Sequence, residues 1–186
     1  MHFTRPVSLP EPSDALAERQ AVVIFAQGQL AGVEEFRRQW DPLGGSIPAH
    51  ITLVFPVTRP RREQALAQEL AALLDGFPVF AVSLSEVRVW EQEYLFLVAG
   101  QGGEQITRLH EALYDGPFRH ARRPARFVPH LTIGRCPDPA ELAAGAAEAV
   151  RLGVQADVLA AAVSVYRISP SGQQSRTLDV PLRGPT

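Results

Sequence analysis

Two copies of a short motif in the sequence each pair a histidine with a threonine two residues later. Residues 49–53 (AHITL) correspond to residues 129–133 (PHLTI), 80 positions further along the chain. The chain has 5 His and 7 Thr in 186 residues, so composition alone predicts such a pair roughly 0.2 times, and two copies in matching apolar frames indicate an internal repeat. The polar residues of the repeat are His50, Thr52, His130 and Thr132.

The alternation of a β-strand determines what each copy presents. Both copies are short apolar runs of strand length, and successive side chains of a strand point to opposite faces. His50 and Thr52 therefore share one face of their strand, and Ile51 and Leu53 share the other. If a pseudo-twofold axis relates the two copies, their apolar faces are buried, and two imidazoles and two hydroxyls converge on one concave site.

Two imidazoles and two hydroxyls suit phosphodiester chemistry. A neutral histidine can take a proton from attacking water or an attacking hydroxyl, and a protonated histidine can give one to the leaving oxygen, both near neutral pH. Threonine hydroxyls and nearby arginines can hold the non-bridging phosphate oxygens. This chemistry requires no metal and no cofactor. A metal site is the other common use of paired histidines, but neither motif has a matched carboxylate or cysteine ligand.

Composition excludes several enzyme classes. The net charge is −2, all 18 basic residues are arginine, and the chain contains neither lysine nor asparagine. Without lysine the chain cannot form a lysyl-AMP ligase intermediate, a Schiff base or a lysine-containing phosphate loop. The single cysteine, Cys136, excludes a disulfide framework and multi-cysteine metal sites, and we assign it no role.

The hydrophobic pattern predicts one domain over residues 21–186, preceded by a polar lead-in over residues 1–20. Predicted strands cover 21–27, 50–55, 80–89, 94–98, 127–135, 161–168 and 176–182, and predicted helices cover 30–40, 62–74, 104–114 and 139–152. Hairpins among the strands favour an α+β fold with mixed or antiparallel sheets. The lead-in lacks the apolar stretch of a signal peptide, and no run of about 18 apolar residues exists, so we expect a cytoplasmic protein without membrane association.

The paired motifs and their surroundings resemble the two-histidine (2H) phosphoesterase superfamily, in particular its 2′-5′ RNA ligase-like and cyclic phosphodiesterase branch. The likeness rests on HITLVFP at 50–56 and FVPHLTIGR at 127–135 and extends over roughly residues 21–183. It implies a bilobal, duplicated fold of two pseudo-symmetric lobes, with sheets lining a central cleft and helices outside. It also implies His50 and His130 as catalytic residues and Thr52 and Thr132 as phosphate-binding residues.

Other candidates are more local. We expect Arg135 to bind phosphate if a bulge at Gly134 turns it toward the motif face, and Phe127 and Tyr166 to stack on a base. His110 is expected on a helix surface. Arginines near the motifs are candidates for a basic rim that holds a polynucleotide backbone: Arg59, Arg61, Arg62, Arg119, Arg122, Arg123 and Arg126.

The main hypothesis is a metal-independent phosphoesterase that opens 2′,3′-cyclic phosphates or cleaves 2′,5′ linkages of RNA ends or small nucleotides. The reverse reaction would make it an ATP-independent 2′-5′ RNA ligase. The alternative is a non-catalytic module of the same fold that binds RNA ends or nucleotides. We expect a monomer, with His130 as general base because nearby arginines lower its pKa, and His50 as general acid.

Overall fold

The structure is a computed structural model that describes residues 17–184 of the chain, in which nine strands and four helices form. Most of the predicted lead-in, residues 1–16, lies outside the described part. The first strand begins at Arg19, two residues before the predicted start of the first strand at residue 21. No helix within residues 17–184 is both long and apolar enough to span a membrane.

The elements alternate along the chain much as the hydrophobic pattern predicts. The strands are β1 (Arg19–Phe25), β2 (Gly28–Ala31), β3 (His50–Val57), β4 (Phe80–Trp90), β5 (Tyr94–Ala99), β6 (His130–Arg135), β7 (Gln155–Ala160), β8 (Ala162–Ile168) and β9 (Gln174–Pro181). The helices are α1 (Val33–Trp40), α2 (Glu63–Leu74), α3 (Gly103–Asp115) and α4 (Pro139–Leu152).

All nine strands belong to one sheet in the order β2-β7-β4-β5-β6-β3-β1-β8-β9. Every pair of neighbouring strands in it is antiparallel. Of the two arrangements that the sequence left open, mixed or antiparallel, the structure therefore has the antiparallel one. The strands also form one continuous sheet, whereas the family resemblance implied separate sheets in two lobes.

The two motif strands are neighbours at the centre of this sheet. Each is preceded and followed by a helix, as α1-β3-α2 and α3-β6-α4. The flanking strands are exchanged: β4 follows α2 in the chain but pairs with β5, and β8 follows α4 and β7 but pairs with β1. On each side of the β3–β6 contact, the motif strand is therefore followed by a strand that precedes it in the chain, and then by a strand that follows the other motif. That the two halves arose by duplication stays a prediction.

One face of the sheet is covered by the helices and forms the core. Ile51 and Leu53 of β3 and Leu131 and Ile133 of β6 are all 0% exposed. Side chains from all four helices pack into the same buried cluster. Burying the apolar residues of both motifs on this side leaves their histidines and threonines on the opposite face, as the strand alternation predicts.

Helix α4 shows how local sequence defines these covering elements. The Asp138 side chain accepts hydrogen bonds from the backbone N–H groups of Ala140 (2.8 Å) and Glu141 (2.9 Å), and Pro139 occupies the first helical position. Gly153 ends the helix in the left-handed region at φ 64°. The predicted and observed bounds of this helix agree because both ends carry such signals.

Both motif strands contain an irregularity at the same position of the repeat. In β3, Thr52 lies opposite Val23 and Val54 opposite Val22, so Leu53 has no partner on β1. In β6, Thr132 lies opposite Phe96 and Gly134 opposite Leu95, so Ile133 has no partner on β5. Each extra residue is a β-bulge that re-aims the strand beyond it. The equivalence of residues 53 and 133 extends the repeat from sequence to backbone structure.

Helix α3 satisfies the backbone groups that the bulge in β3 releases. The Nδ1–H of His110 donates to the carbonyl oxygen of Leu53 (2.8 Å), and the N–H of Phe55 donates to the hydroxyl of Tyr114 (3.3 Å). His110 is only 1% exposed, and burial lowers its pKa. The expectation that His110 lies on a helix surface is therefore wrong, because this side of α3 faces the sheet.

Two short strands at one end of the sheet were not predicted. β2 and β7 pair with each other, and β7 pairs with β4. The segment of β7 alternates between exposed and buried residues, but its apolar positions include two alanines, so its strand signal is weak. In β2, Gly28 permits a close approach, because a Cβ atom there would lie 2.3 Å from the carbonyl oxygen of Asp157.

Replacing His110 by phenylalanine tests whether the hydrogen bond to the bulge stabilises the fold. The H110F variant keeps an aromatic ring next to Phe127 but leaves the carbonyl of Leu53 without its donor. We expect a loss of about 1–3 kcal/mol in the free energy of unfolding, measured in urea. The matched control H120F replaces an exposed histidine and should be neutral. Equal stability of H110F and the wild type would contradict the assigned role.

Candidate active site

The central contact of the sheet brings the two motifs together. Ile51 of β3 lies directly opposite Leu131 of β6. Continuing this antiparallel register by one residue in each direction puts His50 opposite Thr132 and Thr52 opposite His130. Directly opposite residues share a face, so the four polar side chains form a square with the histidines on one diagonal, roughly 7 Å apart at the backbone.

Both imidazoles are held in the same way. The Nδ1 atom of His50 lies 2.8 Å from the carbonyl oxygen of Pro48, and that of His130 lies 2.6 Å from the carbonyl oxygen of Val128. A carbonyl can only accept, so each Nδ1 carries the proton. In the neutral rings the Nε2 atoms are therefore acceptors. The arrangement is the same in both copies, since the accepting carbonyl belongs in each to the residue two positions before the histidine.

Aromatic side chains flank each histidine along the sheet. The ring of Phe96 stacks on His130 with centroids 3.5 Å apart. On the other side, the ring of Phe25 meets that of His50 edge-on, with centroids 6.1 Å apart, and the rings of Tyr166 and Phe25 have centroids 5.7 Å apart. His130 is 9% exposed and His50 is half-buried. These neighbours exclude water from the sides of the rings.

Helix α1 positions the segment that leads into His50. The guanidinium of Arg37 is 2% exposed and donates to the carboxylate of Asp41 (3.0 and 3.2 Å) and to the carbonyl of Ile47 (2.9 Å). Glu34 accepts from the N–H of Ala49 at 2.8 Å. Glu34 also forms an ion pair with Arg37 at 3.3 Å. This network fixes the residues on both sides of Pro48, whose carbonyl orients His50.

Comparison with known proteins decides the family. A family model described as the 2′-5′ RNA ligase superfamily matches residues 10–170. The chain belongs to the 2′-5′ RNA ligase superfamily. A Geobacillus kaustophilus protein named "Putative phosphoesterase" is 28% identical over 121 residues, which cover 63% of this chain and 69% of that protein. A Bacillus cereus protein of the same name is 32% identical over 118 residues, which cover 61% of this chain and 67% of that protein.

Solved structures show the same fold. The chain is similar to E. coli LigT complexed with NADP⁺, with a TM-score of 0.58 and 19% identity, and to E. coli LigT complexed with 3′-AMP, with a TM-score of 0.54 and 17% identity. Each comparison covers 89% of this chain and 98% of the other. The 2H phosphoesterase resemblance drawn from the paired motifs is thereby confirmed.

In this member of the superfamily, burial lowers the pKa of both motif histidines. It lowers the pKa of His130 from 6.5 to about 4, and the neighbouring His50 adds to the effect, while the hydrogen bond to Val128 opposes it. Burial also lowers the pKa of His50; the bond to Pro48 opposes this, and Arg37 adds to it. The sequence attributed a low pKa of His130 to nearby arginines, but its main cause is burial.

The bulge predicted near Gly134 is present and turns Arg135 toward the motif face. Arg135 lies opposite Tyr94, which shares its face with Phe96 and Thr132. The guanidinium, however, is held by the carboxylate of Glu93, with Nε–Oε1 at 2.7 Å, and lies 5.4 Å from the ring centroid of Tyr94. A phosphate-binding role of Arg135 stays a prediction, and it would require exchange of this ion pair for substrate.

The two predicted base-stacking residues lie in different surroundings. Tyr166 lines a cavity of about 150 Å³ together with His50 and Thr52, so its position beside the motifs suits that role. Phe127 instead stacks on the buried His110, with centroids 3.7 Å apart, and packs against the core. Because one face of its ring is occupied by the protein, we leave Phe127 out of the candidate site.

The sequence did not identify the aromatic residues that contact the histidines. Phe25 and Phe96 lie in continuous apolar runs, where nothing distinguishes the residue opposite a motif from its neighbours. Arg176 was also missed; its guanidinium lies 5.0 Å from the ring centroid of Phe25. Only the register of β1 and β5 against the motif strands identifies the two phenylalanines.

Within residues 17–184, no cluster of three or more His, Cys, Asp or Glu could hold a metal ion.

Replacing Arg37 by leucine tests the network that positions His50. The R37L variant removes the cation paired with the buried Asp41, which keeps only the N–H of Leu43, and the donor to the carbonyl of Ile47. We therefore expect a loss of about 3–5 kcal/mol in the free energy of unfolding. The neighbouring Arg38 is exposed, and R38L, which removes the same charge from the same helix, should change stability little. Similar unfolding curves for both variants would contradict the assigned role of Arg37.

The low pKa of His130 predicts a specific dependence of stability on pH. The unfolded state binds a proton near pH 6.5 and the folded state only near pH 4, so this group's contribution is fully present above pH 6.5 and is lost as the pH falls toward 4. Between pH 7 and pH 5 we expect a loss of roughly 2 kcal/mol through this histidine.

The H130Q variant provides the measurement for this pH dependence. Its free energy of unfolding in urea should fall by roughly 2 kcal/mol less than that of the wild type between pH 7 and pH 5. The H120Q variant, which alters an exposed histidine, should follow the wild type. Parallel curves for H130Q and the wild type would show that His130 is not buried in its neutral form.

Proposed function

We propose that this protein is a metal-independent phosphoesterase that acts on 2′,3′-cyclic phosphate or 2′,5′-phosphodiester bonds of RNA ends or nucleotides. The observation that carries the proposal is the matched presentation of His50 and His130. Both rings stand on one face of the sheet, each with Nδ1–H held by the carbonyl two residues earlier. Two imidazoles presented in this way can serve a single phosphate, one as acid and one as base.

His130 is the better candidate for the general base because its pKa is lowered to about 4 and its neutral Nε2 is an acceptor. In hydrolysis this Nε2 takes the proton of water as the water oxygen forms its bond to phosphorus. The bond from phosphorus to the 2′ or 3′ oxygen breaks, and that oxygen receives the proton of His50 Nε2. Thr52 and Thr132 donate their hydroxyl hydrogens to the non-bridging oxygens.

The substrate itself supplies the charge that makes His50 an acid. A phosphodiester carries one negative charge, and an anion in contact with an imidazole favours the imidazolium and raises its pKa. His50 is less buried than His130, so it gains this proton more readily. If a 5′-hydroxyl replaces water as the nucleophile, the same two groups would join it to the cyclic phosphate without ATP: His130 takes the hydroxyl proton, and the 3′ oxygen leaves with the proton of His50. This suits a chain that contains no lysine.

The relatives support the substrate class. Two are named as phosphoesterases, and the structures of E. coli LigT contain 3′-AMP, ATP or NADP⁺. By this likeness we infer that the site of the present chain takes a nucleotide or a nucleotide at an RNA end. A monomeric protein that acts in the cytoplasm is part of the same proposal.

The decisive experiment measures turnover of 2′,3′-cyclic mononucleotides and 2′,5′-linked dinucleotides in EDTA. We expect the wild type to be active, with a bell-shaped pH dependence. H50A and H130A should each lower kcat by at least about 100-fold because each loses one proton-transfer group. R151A, which alters an exposed residue of α4 that lines neither cavity, serves as the control and should retain activity. Binding without turnover would favour the alternative of a non-catalytic module, and rescue by zinc after chelation would indicate a metal enzyme.

A second substrate in the same experiment assigns the roles of the histidines. An activated leaving group needs little help from an acid, so it should restore much of the activity of H50A and little of that of H130A. Circular dichroism and urea unfolding establish that both variants are folded. The opposite pattern, with rescue of H130A alone, would reverse the assignment of acid and base.

A further inference from the structure

A second, larger cavity lies beside the end of β3, next to the candidate active site. It has a volume of about 880 Å³ and is formed by the end of β3 and the residues after it, by the first turns of α2, and by the loop over residues 117–122. Four arginines line it: Arg59, Arg61, Arg119 and Arg122. Among residues 17–184, Glu69 is its only acidic lining residue.

One of these arginines has a structural role. Arg61 forms an ion pair with Glu69 and donates to the carbonyl oxygen of Pro117 at 2.7 Å. Its backbone N–H donates to the side-chain oxygen of the buried Gln20 at 3.0 Å. Arg61 thus links β1, α2 and the loop at residue 117, and it neutralises Glu69. These contacts of Arg61 hold the walls of the cavity in place without a ligand.

The other three arginines, Arg59, Arg119 and Arg122, carry charge that the surroundings do not balance. All three are exposed, and none forms an ion pair within 4 Å with any residue of the described range 17–184. We call the part of the cavity that these three arginines line the arginine pocket. By contrast, Arg123 in the same loop pairs with Glu111 and Asp115. A concentration of unpaired positive charge in a chain of net charge −2 favours a ligand with several negative charges.

The arginine pocket is continuous with the candidate active site. Phe55 and Pro56 line both this cavity and the small one that contains His50 and Thr52. From Thr52 to Val57, at the edge of the arginine pocket, β3 passes only three residues of β1, from Val23 to Gln20, because of its bulges, and this is about 10 Å. A ligand held at both places must therefore be longer than one nucleotide.

We propose that the arginine pocket binds the backbone phosphates of an RNA strand whose reacting end lies at His50 and His130. This inference rests on the proposed function and narrows its substrate to an oligonucleotide end. Guanidinium groups pair with phosphate oxygens through two parallel hydrogen bonds and need no particular base. A stacked strand advances about 3.4 Å per nucleotide, so the distance corresponds to roughly three nucleotides. The strand leaves the active site over Phe55 and Pro56.

The experiment uses the full chain and RNA strands that end in a 2′,3′-cyclic phosphate, from a single nucleotide to about ten nucleotides, which is about three times the estimated span. For the wild type, kcat/KM should rise with length and level off near about three nucleotides. In the double variant R119Q/R122Q, the ratio of kcat/KM for the ten-nucleotide strand to that for the mononucleotide should fall at least tenfold. The control R108Q/R151Q removes the same charge from exposed sites elsewhere and should keep the wild-type ratio.

The salt dependence provides an independent measure. For single strands, each phosphate contact makes the slope of log K against log salt more negative by about 0.7. The double variant lacks two contacts, so for a ten-nucleotide RNA with an unreactive 3′-hydroxyl its slope should be less negative than that of the wild type by about 1.4. Fluorescence anisotropy of labelled RNA measures this without turnover. A slope equal to that of the wild type would overturn the assignment of phosphates to this pocket.

The outcomes separate this inference from the proposed function. Turnover that does not depend on strand length, in wild type and double variant alike, would overturn the arginine pocket and leave the phosphoesterase intact. Binding of RNA that depends on Arg119 and Arg122, without turnover of any cyclic phosphate, would support the pocket and overturn the catalytic proposal. Equal losses in R108Q/R151Q and R119Q/R122Q would show a general effect of net charge and would also overturn the pocket.

Discussion

The antiparallel contact between β3 and β6 is the constraint on which the site depends. A single register pair, Ile51 with Leu131, joins the two motif strands, whereas β1 and β3 share five. Because side chains alternate, a shift of one residue in either strand would bury its histidine and threonine and expose its apolar residues. The helices that cover the apolar face prevent such a shift, since Ile51 and Leu131 are both fully buried. Core packing therefore sets the position of the polar residues.

The paired bulges explain why the motif ends where it does. Within each copy the regular alternation holds from the histidine through the threonine and is broken at the following apolar residue, Leu53 or Ile133. That residue stays in the core while the next side chains are turned, which brings Phe55 and Arg135 to equivalent positions. In β3 the cost of the bulge is offset by His110 and Tyr114. In β6 Gly134 leaves room for Trp40, whose Cβ would lie 3.1 Å from an added Cβ.

The sequence predicts those features whose signal is local or repeated. The paired motifs predicted the central strands and the candidate chemistry, and hydrophobic periodicity predicted the helices. Features that depend on register were not predictable: Phe25 is distinguished from its apolar neighbours only by lying opposite His50. Burial of polar side chains was not predictable either. Arg37 and His110 lie in the interior, and burial is the main cause of the low pKa of His130. Arginines that are near His130 in the sequence are a poor guide to that pKa.

Burial of two neighbouring histidines has a consequence for how such a site would work. Two imidazolium ions on adjacent strands would repel each other in a partly dehydrated site, and the low pKa of both rings keeps the empty site neutral. A bound phosphodiester changes this balance, because one negative charge stabilises one imidazolium. Protonation of the acid is then coupled to arrival of the substrate, while the second ring remains neutral beside the first. In the proposed mechanism the more exposed His50 takes this proton and His130 stays neutral, so the two copies of one motif would have different roles.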